Sequence, residues 1–279
     1  MPPWHRMYRP VLSMGIIFVA TVLLGMLFSV PFNSMGYQAF EDPNSLWIPL
    51  MYIILILVFS VVVLFLAKKK KLGIIQALVL FASGLTLMYI FVLPYSYLFD
   101  FLFTNAFIYR YMDELSWLLL AMSIGSAAVL TYILYKYPEW YVIDSIGIVV
   151  GAGIVAILGI SLGIIPLFIL MIALAIYDAI SVYKTKHMID LADAVTEKRL
   201  PVIMVVPKSK NYSFKKQKSL KKSIETKGER EAMFMGLGDI VFPGSLVISA
   251  MYYLGTKVME HGELIGREPT MASFAVALT

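Results

Sequence analysis

Apolar runs of about twenty residues recur along the whole chain, and this feature alone rules out most folds. Seven can be delimited: Val11–Val30, Trp47–Ala67, Leu72–Tyr97, Leu115–Tyr135, Val142–Ile160, Ile164–Tyr183 and Ala232–Leu254. A short apolar stretch, Met271–Thr279, follows as a partial eighth. Hydrocarbon offers no partner for a bare peptide group, so such runs are expected to be helices. The reading is an all-α polytopic membrane protein. Composition agrees: 15% of the residues are charged, against about a quarter in a soluble domain.

The placement of charge orients these spans. If the N-terminus faces the cytoplasm, twenty of the 23 lysines and arginines fall on the cytoplasmic side, thirteen of them in the loop 184–230. Only Arg110, Lys257 and Arg267 fall outside. Such a bias is the positive-inside signature. It accounts for the net charge of +5 without any nucleic acid. The opening MPPWHRMYRP and the run behind it are expected to form a retained first helix, because the run exceeds a signal-peptide core and no small-residue cleavage site follows. Three parts result: a six-span bundle over 1–183, a basic cytoplasmic loop over 184–230, and a C-terminal part over 231–279. The loop tract KSKNYSFKKQKSLKKSIETKGER reads first as a solvated, topology-enforcing linker. Upstream of it, LPVIMVV (Leu200–Val206) is apolar and β-prone, too short to span, and is expected to pack at the membrane interface.

With no cysteine, disulfides, thiol nucleophiles and thiolate metal sites are excluded. His5, His187 and His261 lie far apart and outside the runs, so neither a metal site nor a serine–histidine arrangement is expected. No cofactor motif is present.

Ionisable side chains within the runs lie mostly near an end, such as Asp144 just inside the fifth. Asp178 and Asp239 are the exceptions. Each costs about 2.5–3.5 kcal/mol at a helix centre, and such residues usually have a function and a partner. Asp178 lies six residues before Lys184 and Asp239 nine after Arg230. At the rise of a helix these are roughly 9 and 13 Å from the same membrane edge. Neither run offers a basic residue at that depth, so the natural partner of each carboxylate is the other. Two carboxylates a few ångströms apart do not both ionise readily and share a proton. Such a dyad can hydrolyse a peptide bond, one member taking a proton from water and the other giving one to the carbonyl. Gly236 and Gly238 remove side chains beside Asp239, allowing a close backbone approach, though small-residue helix packing would also explain them. Pro243 cannot donate to the Asp239 carbonyl, which loosens the helix there. Tyr177 could orient a carboxylate, water or substrate, or simply pack.

The pair Tyr177–Asp178 in one run and Gly236–Leu237–Gly238–Asp239 in the next, with a long loop between, resembles the presenilin and signal peptide peptidase superfamily of intramembrane GxGD aspartyl proteases. The likeness extends through YDAISVYKTKHMIDLADAVTEKRLPVIMV and GLGDIVFPGSLV. It implies a presenilin-like helical bundle, with Asp178 and Asp239 as the catalytic pair. It also implies cleavage within the bilayer of transmembrane helices of single-span substrates. Charge placement puts the chain on the presenilin side of the superfamily, and the lack of a large extramembrane domain and of cysteine suggests a compact microbial homologue, archaeal in character. Tyr177, Gly236, Leu237, Gly238, Val202 and Val205 become candidates for support or substrate binding. Val202–Val206 would offer a strand edge to an unwound substrate. The implied partners are transmembrane substrates and the lipid bilayer, and a homo-oligomer is compatible with the sequence.

The family has nine spans and a Pro-Ala-Leu motif near the start of the ninth. This sequence has no such tripeptide and stops about nine residues into the eighth, so a longer complete protein is expected. Two other readings stay open at this level. A proton- or cation-coupled transporter or channel also uses intramembrane aspartates. A prepilin-peptidase-like enzyme shares the GxGD signature.

Overall fold

The computed structural model describes residues 4–40, 42–69, 71–180, 203–208, 232–254, 256–260 and 263–268. Each of the seven long runs contains a helix among the described residues. These are α1 (Trp4–Ser34), α2 (Trp47–Lys68), α3 (Leu72–Leu102), α5 (Met112–Lys136), α6 (Trp140–Ser161), α7 (Ile164–Ile180) and α8 (Leu237–Tyr253). A short α4, Asn105–Arg110, lies between α3 and α5. Among the described residues, four helices are long and apolar enough to cross a bilayer unaided; α7 and α8 are shorter apolar helices of 17 residues. Large side chains such as Leu12, Phe81, Phe101 and Trp117 stand exposed around the bundle, a surface suited to lipid and not to water. The partial eighth run, Met271–Thr279, and most of the loop 184–230 lie outside the described residues.

One expectation needs correction. The last long run does not enter a helix at Ala232. Ala232–Gly236 is strand β2, paired antiparallel with β1, Ile203–Pro207, in the register Ile203↔Gly236, Val205↔Phe234 and Pro207↔Ala232. A β-rich apolar segment of five residues is helical or extended according to its partner, and here LPVIMVV supplies one. From Ile203 onward that segment is therefore a strand, with Met204, Val205 and Val206 buried. A second pair, β3 (Thr256–Glu260) and β4 (Glu263–Glu268), follows α8.

The helix α6 is the hub. In its most apolar window 67% of the residues are buried, against 22% or less in the other long helices. Small residues allow this by letting neighbours approach closely. A Cβ on Gly153 would fall 2.5 Å from Ile90 of α3, and one on Gly159 would fall 2.6 Å from Ile248 of α8.

Contacts along α6 give the directions. Gly151 meets Thr21 and Leu237, Gly159 meets Ile248, and the Ile160 carbonyl accepts from the Tyr253 hydroxyl at 3.2 Å. The helices α1, α6 and α8 therefore run parallel, as alternating traversal of a membrane requires of a first, fifth and seventh span. After the turn at Leu162–Gly163, α7 runs back. Hydrogen bonds pin that corner: the Ala39 amide donates to the Ser161 hydroxyl, the Gly163 amide to the Pro43 carbonyl, and the Ser249 hydroxyl to the Leu162 carbonyl.

Candidate active site

Helix α7 packs on α8 through an apolar stripe. Leu170 and Leu174 from α7 share a cluster with Phe242 and Leu246 from α8. On α7 the stripe continues at a spacing of four to Asp178. On α8 it continues backwards, at a spacing of three from Phe242, to Asp239. Because the two helices are antiparallel, both carboxylates come out at the same open end of one interface. They lie within electrostatic reach of each other, and both are exposed.

The strand determines how Asp239 is presented. With β2 running to Gly236, Asp239 is the third residue of α8 and not the middle of a long helix. Its Oδ2 accepts the Gly236 amide at 3.2 Å, so the carboxylate caps its own helix. The helix N-terminus, with its unpaired amides, favours negative charge there. Gly236 is extended, with φ −67° and ψ 142°. A Cβ on it would meet Asp239 Oδ2 at 3.2 Å, whereas one on Gly238 would meet only the Phe242 ring at 3.8 Å. At neither glycine is a neighbouring backbone within 4 Å among the described residues. The close helix contacts fall at Gly153 and Gly159 instead. Pro243 sits inside α8, which stays continuous to Tyr253.

Leu237, the first residue of α8, lies against Gly151 of α6. Tyr177 is half-buried on α7 beside Asp178. Val202 lies outside the described residues. Val205 is fully buried, and its amide donates to Asp144 Oδ1 at 2.8 Å. That buried carboxylate, four residues into α6, escaped the sequence reading because it sits near a run end. The signal was available: an acidic residue in WYVIDSIGIVVGAG with no basic residue in the run to pair it. No group of metal-ligating side chains occurs among the described residues.

A family model described as signal-peptide peptidase, presenilin aspartyl protease matches residues 14–273. Two solved structures are similar over most of the chain. One is a presenilin family intramembrane aspartate protease in a P2 crystal form, 31% identical, with a TM-score of 0.56, covering 88% of this chain and 78% of that one. The other, described in the same words in a C222 form, is 29% identical with a TM-score of 0.53, covering 88% and 77%. No curated protein sequence matches significantly.

Proposed function

The chain belongs to the signal-peptide peptidase and presenilin family of aspartyl proteases and is an aspartic endopeptidase of the membrane; on that premise we propose that Asp178 and Asp239 are its catalytic pair. The observation that carries the reading is the antiparallel α7–α8 stripe, which ends in both carboxylates within electrostatic reach.

In the reacting state the pair holds one proton. The ionised member removes a proton from a water lying between them as that water attacks the scissile carbonyl. The protonated member donates to the carbonyl oxygen. Collapse of the resulting diol returns a proton to the departing nitrogen and releases an amine and an acid. Neither a metal nor a covalent intermediate is required. Tyr177, on the turn that carries Asp178, and Gly236 and Gly238, on either side of Leu237, support the pair. Substrates are transmembrane proteins, and single-span helices fit best, because their unfolding disrupts no larger bundle.

The finer features belong to the same reading. The N-terminus and the loop 184–230 face the cytoplasm, on the charge bias of the sequence. The enzyme is a multi-pass protein of the cell membrane, on its apolar helices and its family.

The test is cleavage of a fluorogenic single-span substrate by purified protein. Asp178→Asn and Asp239→Asn should each lower the rate by at least about a hundredfold, the scale of lost acid–base catalysis, with unchanged expression. A wild-type rate in either variant rejects the pair.

A further inference from the structure

Asp144 is a buried carboxylate that the dyad chemistry leaves unused. It is 7% exposed, on the stretch of α6 that contributes Ile143, Ile146 and Val150 to the core. A carboxylate out of water is costly unless a donor satisfies it. Its donor is the Val205 amide, 61 residues away in sequence, at 2.8 Å.

That amide is one the hairpin cannot satisfy itself. In an antiparallel pair, alternate residues turn their peptide groups toward the partner strand and away from it. Since Val205 donates to α6, it is a residue turned away from β2. A slip of one residue would turn its amide toward β2 and reverse every side chain of β1. Asp144 thus selects one register of β1 against α6.

The register passes on to the site. Ile203 faces Gly236 across the pair, and Gly236 is both the last residue of β2 and the cap of α8. No residue separates them. Leu237 follows, seated against Gly151 about two turns along α6 from Asp144. The Asp239 carboxylate is held by the Gly236 amide. One helix therefore grips the hairpin at two levels, and Asp239 hangs from its end.

We propose that Asp144 is a positioning residue: by binding the Val205 amide it locks the β1–β2 hairpin to α6 and so fixes the seat of Asp239. The inference rests on the reading of Asp178 and Asp239 as the catalytic pair. The same bond occupies the amide that an extended substrate would need on the outer edge of β1 at Val205. Any pairing of substrate with Val202–Val206 at that point is blocked while the lock is closed.

The experiment compares Asp144→Leu, Asp144→Asn and wild type as full chains in detergent. It measures kcat and KM on the single-span substrate, and hydrogen exchange of peptides covering 203–207, 232–236 and 150–160. Asparagine keeps an oxygen for the Val205 amide; leucine does not. Asp144→Leu should lower kcat about tenfold or more, as misplacement of a reacting group does, with KM changed less than about twofold. Its hairpin peptides should lose exchange protection while 150–160 keeps it. Asp144→Asn should restore both readouts. A wild-type kcat in Asp144→Leu, a change confined to KM, or an Asp144→Asn as impaired as Asp144→Leu overturns the proposal. If Asp144→Leu does not fold, Val205→Pro deletes the same bond from the strand side; an unaltered kcat there overturns it equally. Failure of the dyad reading is a separate result, seen as activity in Asp178→Asn or Asp239→Asn. The exchange arm reads the lock whether or not that reading stands.

Discussion

The amide of Gly236 donates to Oδ2 of Asp239, three residues ahead of it, at 3.2 Å. One member of the proposed pair therefore rests as the cap of its own helix, with a free backbone group defining where it sits. A methyl on Gly236 would press against that oxygen, also at 3.2 Å, whereas a methyl on Gly238 meets only the Phe242 ring at 3.8 Å.

Gly236→Ala should consequently lose more activity than Gly238→Ala. The capping change itself costs stability of only about 0.5–1 kcal/mol, so melting temperature should shift little while the cleavage rate falls severalfold. Equal rates for the two alanine variants, measured side by side on one substrate, would show that the position of Asp239 tolerates the displacement.

A pair that works only when singly protonated must fail on both sides of an optimum. At low pH both carboxylates carry a proton and no base remains. At high pH both are ionised and no acid remains. The kcat/KM profile should be bell-shaped, its limbs belonging to the pair and not to either residue. A rate that levels off at one extreme argues for a single essential group.

Gly159 faces Ile248 so closely that a Cβ would fall 2.6 Å from that side chain and 3.0 Å from the Ser245 carbonyl. Both neighbours are buried, so neither can swing clear. Gly159→Val should destabilise the α6–α8 contact by about 1–3 kcal/mol, the usual range for overpacking. A lowered melting temperature in detergent is the readout. Gly15, whose Cβ would meet nothing within 4 Å, provides the comparison as Gly15→Val.

Pro243 withholds the amide that would bond the Asp239 carbonyl. Pro243→Ala supplies that amide and should raise the melting temperature, with a gain of up to about 3 kcal/mol if the surrounding helix is otherwise regular. If looseness at Asp239 serves the reaction, activity falls as stability rises. A variant that gains stability and keeps its full rate removes that role from Pro243.

The helices were legible in the sequence because their cause is local. A run of apolar side chains about twenty residues long favours a helix in lipid, and each of the seven long runs contains one. Asp178 and Asp239 were legible for a related reason: a carboxylate in such a run is conspicuous through its cost. A common depth for them was an expectation from counting residues, and that count treated Ala232–Gly236 as helix. Asp144 was passed over because a residue near a run end could as easily have faced water.

What the tertiary structure alone decided is everything that depends on a distant partner. Ala232–Gly236 became a strand because Ile203–Pro207 lies beside it. Apolar patterning over five residues carries no information about that neighbour. The central place of α6 came from which glycines meet which side chains, as Gly153 meets Ile90 and Gly159 meets Ile248. Asp144 found its donor across 61 residues. The antiparallel return of α7 brought Asp178 to the end of α8 where Asp239 begins. Local free energy chose the helices; contacts between segments far apart in the chain chose how they assemble, and the site exists only in that assembly.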